Sequence, residues 1–348
     1  MSIYCTDPLQ DRRWAELVET HPRASVFHTP SWLEALQRTY RYQPILFTTS
    51  PANEPLGNGI VFCGIKSFLT GSRLVSLPFA DHCEPLVNGA YELGEILSQL
   101  IHSRDLPKYK YIELRTSNCD AEEIEARSGL SNSAAYAFHE LDLRPDLNSI
   151  FRSLHPSCVQ RKIQRAEREG VKLEEGISEE ILQHFYSLMI QTRRRHRLPP
   201  QPISWFRNLR DSFGRALKIR VASSKGQAIA SILTLQHKNS IVYKYGCSDA
   251  HFHKLGGMPF LFWKVIEEGK KLGVRTLDLG RSDLDDHGLI TFKEHLAATA
   301  STLHYYRFPA QFAKPGAFGR RASMPKVLSY LPDSLLKAAG RLLYRHVG

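Results

Sequence analysis

The chain has 348 residues, a net charge of +11 and a pI near 9.4. With 42% hydrophobic and 23% charged residues it has the balance of a globular protein, and no run approaches the ~18 apolar residues of a membrane-spanning helix. This excludes a helical channel or transporter, predicts two domains at about 150 residues each, and favours anionic partners such as phosphates, nucleic acid or an acidic membrane face.

The polar start MSIYCTDPLQDRRW predicts no secretory signal and a cytoplasmic protein. Cysteines 5, 63, 83, 119, 158 and 247 include no CxxC pair, and no Cys/His group has the local spacing of a zinc site, so no metal is expected. Reduced, mostly buried thiols are the reading.

In chain order, Thr29-Pro30 predicts a helix start, because threonine caps the first turn and proline fits it. Strands are predicted at Pro44–Thr49, Ile60–Lys66, Arg73–Leu77, Tyr109–Arg115 and Tyr136–Leu143, with a helix over Glu92–Ser103. Composition shifts near Pro145. Residues 146–170 are basic and helical in pattern, and Ser178 opens a helix whose first turn carries Glu179 and Glu180. Leu217, Ile219 and Val221 alternate with charged residues as a half-buried strand does, and Gln227–Gln236 and Ser240–Gly246 continue a meander. A helix over Pro259–Leu272, stopped by Gly273, precedes a strand at Thr276–Leu279. The pattern predicts an α/β chain of mixed sheets: a first domain at 1–145, a second at 146–310, and a basic tail at 311–348 packing back on the first.

The most informative stretch is LDLGRSDLDDHGLITFKEH (277–295), read as a short strand, a glycine turn, an acidic run and a helix start carrying Lys293. A lysine beside an aromatic, as in Phe292-Lys293, can stabilise an oxyanion. Asp283 or His287 can take a proton from an attacking amine, though a solvated turn explains most of the acids equally well. Upstream, His253 and Lys254 precede Gly256-Gly257 at a predicted helix start, where backbone N–H groups and the helix dipole suit a phosphate. Two glycines would equally serve a plain turn. Neither a Walker A motif nor GxGxxG is present, and there is no GxSxG elbow for a hydrolase triad.

Arg161, Arg165 and Arg168 share a helix face, and Arg193–Arg195 form a second basic patch; RNA or a solvated surface would account for either. The tail holds seven Lys or Arg against one Asp. Its apolar face, Leu335, Leu336, Ala339, Leu342 and Leu343, suits docking on the body or lying on an anionic membrane. Tyr243, Tyr245, Arg281, Phe292 and Arg194 complete the expected substrate walls.

Several segments together resemble the GNAT superfamily branch of Fem-type aminoacyltransferases and related polysaccharide-cluster acyltransferases. They are SVFHTPSWLEAL (25–36), SLPFADHCEPLV (76–87), RKIQRAEREGV (161–171), TRRRHRLPPQP (192–202), YKYGCSDAHFHKLGG (243–257) and DLGRSDLDDHGLITFKEHLAA (278–298). The resemblance implies two tandem GNAT-like domains and transfer of an acyl or aminoacyl group to an amine. The co-substrate would be acyl-CoA, or aminoacyl-tRNA as the alternative, with no resident cofactor. It also implies that Phe292-Lys293 match a Phe-Lys pair at the reacting centre. Ala35 and Leu36 stand where muramyl-peptide enzymes resemble one another in carrying a lysine, and Gln201 stands in place of an arginine. These departures point toward an amine on a sugar, glycan or lipid carrier of the cell envelope, with peripheral contact at the inner membrane. The alternatives are tRNA-dependent transfer to peptidoglycan precursors and a non-catalytic scaffold on an anionic membrane or RNA.

Overall fold

The computed structural model describes residues 2–103, 108–116, 124–125, 128–312 and 331–347. Residues 313–330 of the expected tail, and Cys119, lie outside them. The chain forms two compact units: Met1–Tyr136 with Thr302–Ala322 and Arg341–Gly348, and Ala137–Ser301 with Ser323–Gly340. Among the described residues no helix is long and apolar enough to cross a membrane.

In the first unit, strands β1 (Tyr4–Thr6), β2 (Gln43–Thr48), β3 (Ile60–Ile65), β4 (Arg73–Ser76) and β5 (Tyr111–Thr116) lie in sequence order. All neighbours are antiparallel except β4 and β5, which are parallel. Helices α1 (Arg12–Thr20), α2 (Pro30–Tyr40) and α3 (Ala90–Ile101) bury one face each. The Thr29 side chain accepts the Trp32 N–H and Pro30 occupies the first turn, so α2 starts where its capping chemistry predicts. Glu113 on β5 is buried between Arg115 and Arg307. Burial opposes its ionisation, but the two guanidiniums outweigh it and hold the carboxyl at about 2.

In the second unit the order is β6 (Ser131–Asp142, its last residues), β11 (Thr276–Asp283), β10 (Ser240–Ser248), β9 (Gln227–His237), β8 (Leu217–Ser224) and β7 (Lys172–Gly176). Strands β7 to β10 form an antiparallel meander. Strand β11 is parallel to β10, as the intervening helix α8 (Gly257–Lys271) requires. Helices α4 (Leu147–Ser153) and α5 (Arg161–Arg168) pack with α8 over a core that includes Ile150, Ile163, Phe260, Val265, Ile266 and Leu277. On α6 (Glu179–Arg195) and α7 (Ile203–Phe213), Phe185 and Phe206 meet edge to face, and Phe206 packs on Tyr245 of β10.

A polar brace fixes α8. Arg220 of β8, 2% exposed, is paired with Glu268 of α8, lies 3.4 Å from Glu175 of β7, and donates to Thr234 Oγ1 at 2.9 Å. Lys218 also pairs with Glu268.

The structure differs from expectation in the stretch 277–295. Gly280 is no turn: β11 passes through it at φ +70° and runs on to Asp283. Asp278 Oδ1 accepts the Gly280 N–H at 2.6 Å, which gives the left-handed residue a local anchor. Helix α9 (His287–His295) starts only after Asp286, whose side chain accepts the Leu289 N–H, so Lys293 sits in its second half. Strand β12 (Thr299–Phe308), next to β5, escaped prediction because its first residues are polar and exposed.

Removing Glu268 leaves the buried Arg220 guanidinium without its closest counter-charge. Glu268→Ala should destabilise the protein by roughly 2–4 kcal/mol in urea unfolding. An unchanged midpoint would show that the brace contributes nothing.

Candidate active site

Strands β10 and β11 pair from Ser240↔Thr276 to Val242↔Asp278, and then both continue, to Ser248 and Asp283. A parallel pair whose ladder stops early opens a wedge at its carboxyl ends, where ligands enter open α/β sheets. Lys293 stands on the β11 side of this wedge. It is 2% exposed, and its Nζ donates to the carbonyls of Gly280 (2.7 Å) and Arg281 (3.1 Å). The ammonium is therefore buried, oriented by backbone, and tied to the stretch of β11 beyond its pairing with β10.

Strand β10 supplies the other wall. The register shift between Tyr243 and Tyr245 makes Lys244 an extra residue. Strict alternation would put both tyrosines on one face; the bulge separates them. Tyr243 packs on Phe262 of α8 at 4.7 Å, and Phe262 on Phe292 at 5.6 Å, so Tyr243, Phe262 and Phe292 form one aromatic row. Burial holds the Tyr243 phenol above its ordinary range, against the opposing Arg193 charge, so it stays protonated. Its hydroxyl lies where a Cβ at Gly246 would be, 1.9 Å away. Tyr245, expected as a substrate contact beside it, instead accepts from Trp205 Nε1 (2.8 Å) and packs on Phe206. It belongs to the core under α7.

The loop before α8 holds the predicted anion-binding residues. Gly256 has φ +76°, and a Cβ there would lie 2.4 Å from the Lys162 carbonyl oxygen. Glycine is thus required both by conformation and by contact with α5. Gly257 opens α8, 3.0 Å from Ala230 Cβ by the same measure. His253 Nε2 and Ser248 Oγ share a hydrogen bond of 2.9 Å, and Arg195 donates to the Ser248 carbonyl at 3.0 Å. Burial lowers the His253 pKa, and the Arg195 and Lys162 charges lower it further against Asp249. The loop therefore gathers His253, Arg195 and Lys162 at a helix N-terminus, with Lys254 exposed beside them.

The remaining predicted residues are spread out. Asp283 ends β11, partly buried. His287 opens α9 and is exposed, about 9 Å along the axis from Lys293 at 1.5 Å per residue. Arg281 meets Lys293 through its backbone carbonyl. Arg194, expected to face substrate, is committed elsewhere: it donates to the Leu331 carbonyl (3.1 Å) and pairs with Asp333, anchoring the start of α10 (Asp333–Val347).

One residue escaped sequence reading. His139 of β6 is fully buried, and neither ring nitrogen has a hydrogen-bond partner among the described residues. Burial first, and then the Lys293 charge, lower its pKa, with Glu294 opposing. A neutral imidazole therefore lies within reach of the Lys293 field. In YAFHELDL it looks like an ordinary strand residue, and only the fold brings it near Lys293.

Residues 157–293, which end at Lys293, match the family model of the acetyltransferase (GNAT) domain. The chain thus carries a GNAT acetyltransferase domain in its second unit, and it has a Fem-type relative at distant identity. Over 96 residues, 27% of the chain, it is 29% identical to the UDP-N-acetylmuramoylpentapeptide-lysine N(6)-alanyltransferase of Weissella viridescens, spanning 29% of that protein's length. Among solved structures it is similar to FemX, with a TM-score of 0.69 at 13% identity, covering 87% of this chain and 97% of that one. A tandem GNAT protein from the clavulanic acid biosynthesis pathway gives 0.53 at 12%, covering 90% and 99%. These likenesses show the fold, and with it the expected α/β architecture of GNAT type.

Two outcomes follow from the geometry. Gly256→Ala should cost more than Gly170→Ala, which has a similar φ of +70° but nothing within 4 Å of its Cβ. About 1 kcal/mol is expected at 170 and at least ~2 at 256 in urea unfolding; equal losses would refute the tight contact with Lys162. For His139 the folded pKa lies below the unfolded value of 6.5. Its contribution to stability is complete above that value and is lost as pH falls from it toward the folded pKa. His139→Phe should flatten the acid slope of unfolding stability by up to about 1.4 kcal/mol per pH unit; parallel wild-type and variant curves would show that the ring titrates normally.

Proposed function

We propose that this protein is an N-acyltransferase that moves an acyl group from acyl-CoA to an amine on a cell-envelope glycan, sugar or lipid-linked precursor. The observation that carries the reading is the buried Lys293, held by two β11 carbonyls just past the point where β11 leaves its pairing with β10. The acceptor nitrogen attacks the donor carbonyl carbon. Charge collects on the carbonyl oxygen and is stabilised by the Lys293 ammonium. The carbon–sulfur bond then breaks, and the departing thiolate takes up a proton equivalent to the one lost from the amine. Asp283 at the end of β11 is the proposed proton acceptor, with His287 as the nearby alternative. His253, Lys254, Gly256 and Gly257, joined by Lys162 and Arg195, hold the donor phosphates. Tyr243, Phe292 and Arg281 border the acceptor. The proposed setting is the cytoplasm, with peripheral contact at the inner membrane.

A second reading, aminoacyl transfer from charged tRNA, is favoured by the alanyltransferase relative and by the exposed arginines 161, 165 and 168 along α5. A nucleic-acid donor makes affinity fall steeply with salt.

Lys293→Met should lower turnover of the preferred acyl donor by roughly 10²–10³-fold, with circular dichroism and the thermal shift given by coenzyme A both retained. Turnover unchanged in the variant removes Lys293 from the reaction. Wild-type protein that ignores coenzyme A but transfers from charged tRNA, with strong salt dependence, selects the second reading. Transfer from neither donor supports the scaffold alternative.

A further inference from the structure

His155, Cys158 and His295 come together at the end of α9. One ligand atom from each lies within 4.8 Å of the other two, and all three residues are partly buried. The two imidazole centroids are 4.1 Å apart, and the His155 N–H donates to the His295 carbonyl at 2.9 Å, joining the two segments. His155 precedes the helical turn Pro156–Gln160, Cys158 lies within that turn, and His295 ends α9. No local spacing reveals the group, because its third member is far away in sequence.

We propose that these three residues bind one thiophilic divalent cation of the zinc class. A thiolate and two imidazoles are a borderline-soft donor set, suited to zinc rather than to magnesium or calcium. Metal–ligand distances of ~2.0–2.3 Å place tetrahedral ligands about 3.5 Å apart, so the side chains close by about 1 Å on binding. His155 Nδ1 now accepts the Cys158 N–H at 3.2 Å, with Ser157 Oγ at 3.4 Å. Coordination through Nε2 moves the ring proton to Nδ1, which gives up the Cys158 N–H and donates to Ser157 Oγ. Coordination through Nδ1 displaces the same capping bond directly. Either exchange gives up one long hydrogen bond for a metal bond. Three protein ligands leave a fourth position for water. His295 follows Lys293 by two residues, and the Leu296 N–H donates to the Lys293 carbonyl at 3.0 Å. A bound cation would therefore clamp the end of the Lys293 helix to the turn at 156–160. This inference does not depend on the transfer reaction.

The test uses the full untagged chain, kept reduced with a phosphine, and titrates it with Zn²⁺ and with Co²⁺ as a spectroscopic probe. One equivalent should bind. The cobalt form should show tetrahedral bands with thiolate charge-transfer absorption. Cys158→Ser should abolish that absorption, and Cys158→Ser and His295→Ala should each weaken binding at least tenfold. Zinc should raise the Tm of the wild type and not of a triple variant. The proposal is overturned if the wild type binds no stoichiometric metal or gives no sulfur band. It also fails if the band survives in Cys158→Ser, which would place the metal on another cysteine such as the exposed Cys5. A wild-type spectrum without a sulfur band overturns the proposal even where a variant fails to fold, and His295→Ala gives a second check of the location where Cys158→Ser does not fold.

Discussion

A lysine ammonium in the interior is the constraint on which the second unit's site depends. Taking that charge out of water costs several kcal/mol, and the cost is met only where fixed acceptors replace the solvent. Here the acceptors are the Gly280 and Arg281 carbonyls. The strand must therefore offer two successive carbonyls to one point, which the left-handed Gly280, held by Asp278, makes feasible. The same bonds lock α9 to β11. Charge burial, a glycine in the middle of a strand and the departure of β11 from β10 are aspects of one arrangement.

The loop that follows the end of β10 is built on positive charge rather than on a single buried group. His253, Arg195 and Lys162 come from a loop, from the end of α6 and from α5, and they meet because Gly256 lets the loop touch the Lys162 carbonyl. The Arg220–Glu268 brace holds the far part of α8 on the sheet, so the helix that presents its N-terminus to this cluster is fixed at both ends. Positive charge near a buried surface lowers the proton affinity of His253 and raises the affinity for an anion for the same electrostatic reason.

What the sequence made legible follows from the range of each signal. Local chemistry read well: the Thr29-Pro30 cap, the Ser178 helix start, the meander and the loop before α8 all depend on neighbours within a few residues. The proximity of Gly280 to Lys293 could be guessed from a short segment. The bulge at Lys244 could not, because an extra residue in one strand is defined only against its partner, so Tyr243 and Tyr245 looked like a pair. Arg194 looked equivalent to its neighbours in an arginine run, yet helical rotation directs it to Asp333 while Arg195 turns to Ser248. His139 and the His155–Cys158–His295 group were invisible for the same reason: their partners are distant in the chain.

The bulge also has a bearing on which length changes the family could tolerate. If Lys244 were drawn into the β9 ladder instead of bulging from it, every residue from Tyr245 to Ser248 would slip by one partner and exchange faces. Tyr245 would leave Trp205, and Ser248 would leave Thr192, Arg195 and His253 together. One residue thus sets the phase between an aromatic half of the strand and a hydrogen-bonding half. Loss of Lys244 would leave Tyr243 opposite Thr234 and Tyr245 opposite Leu233, so the strand can tolerate a deletion there but not a straightening of the bulge.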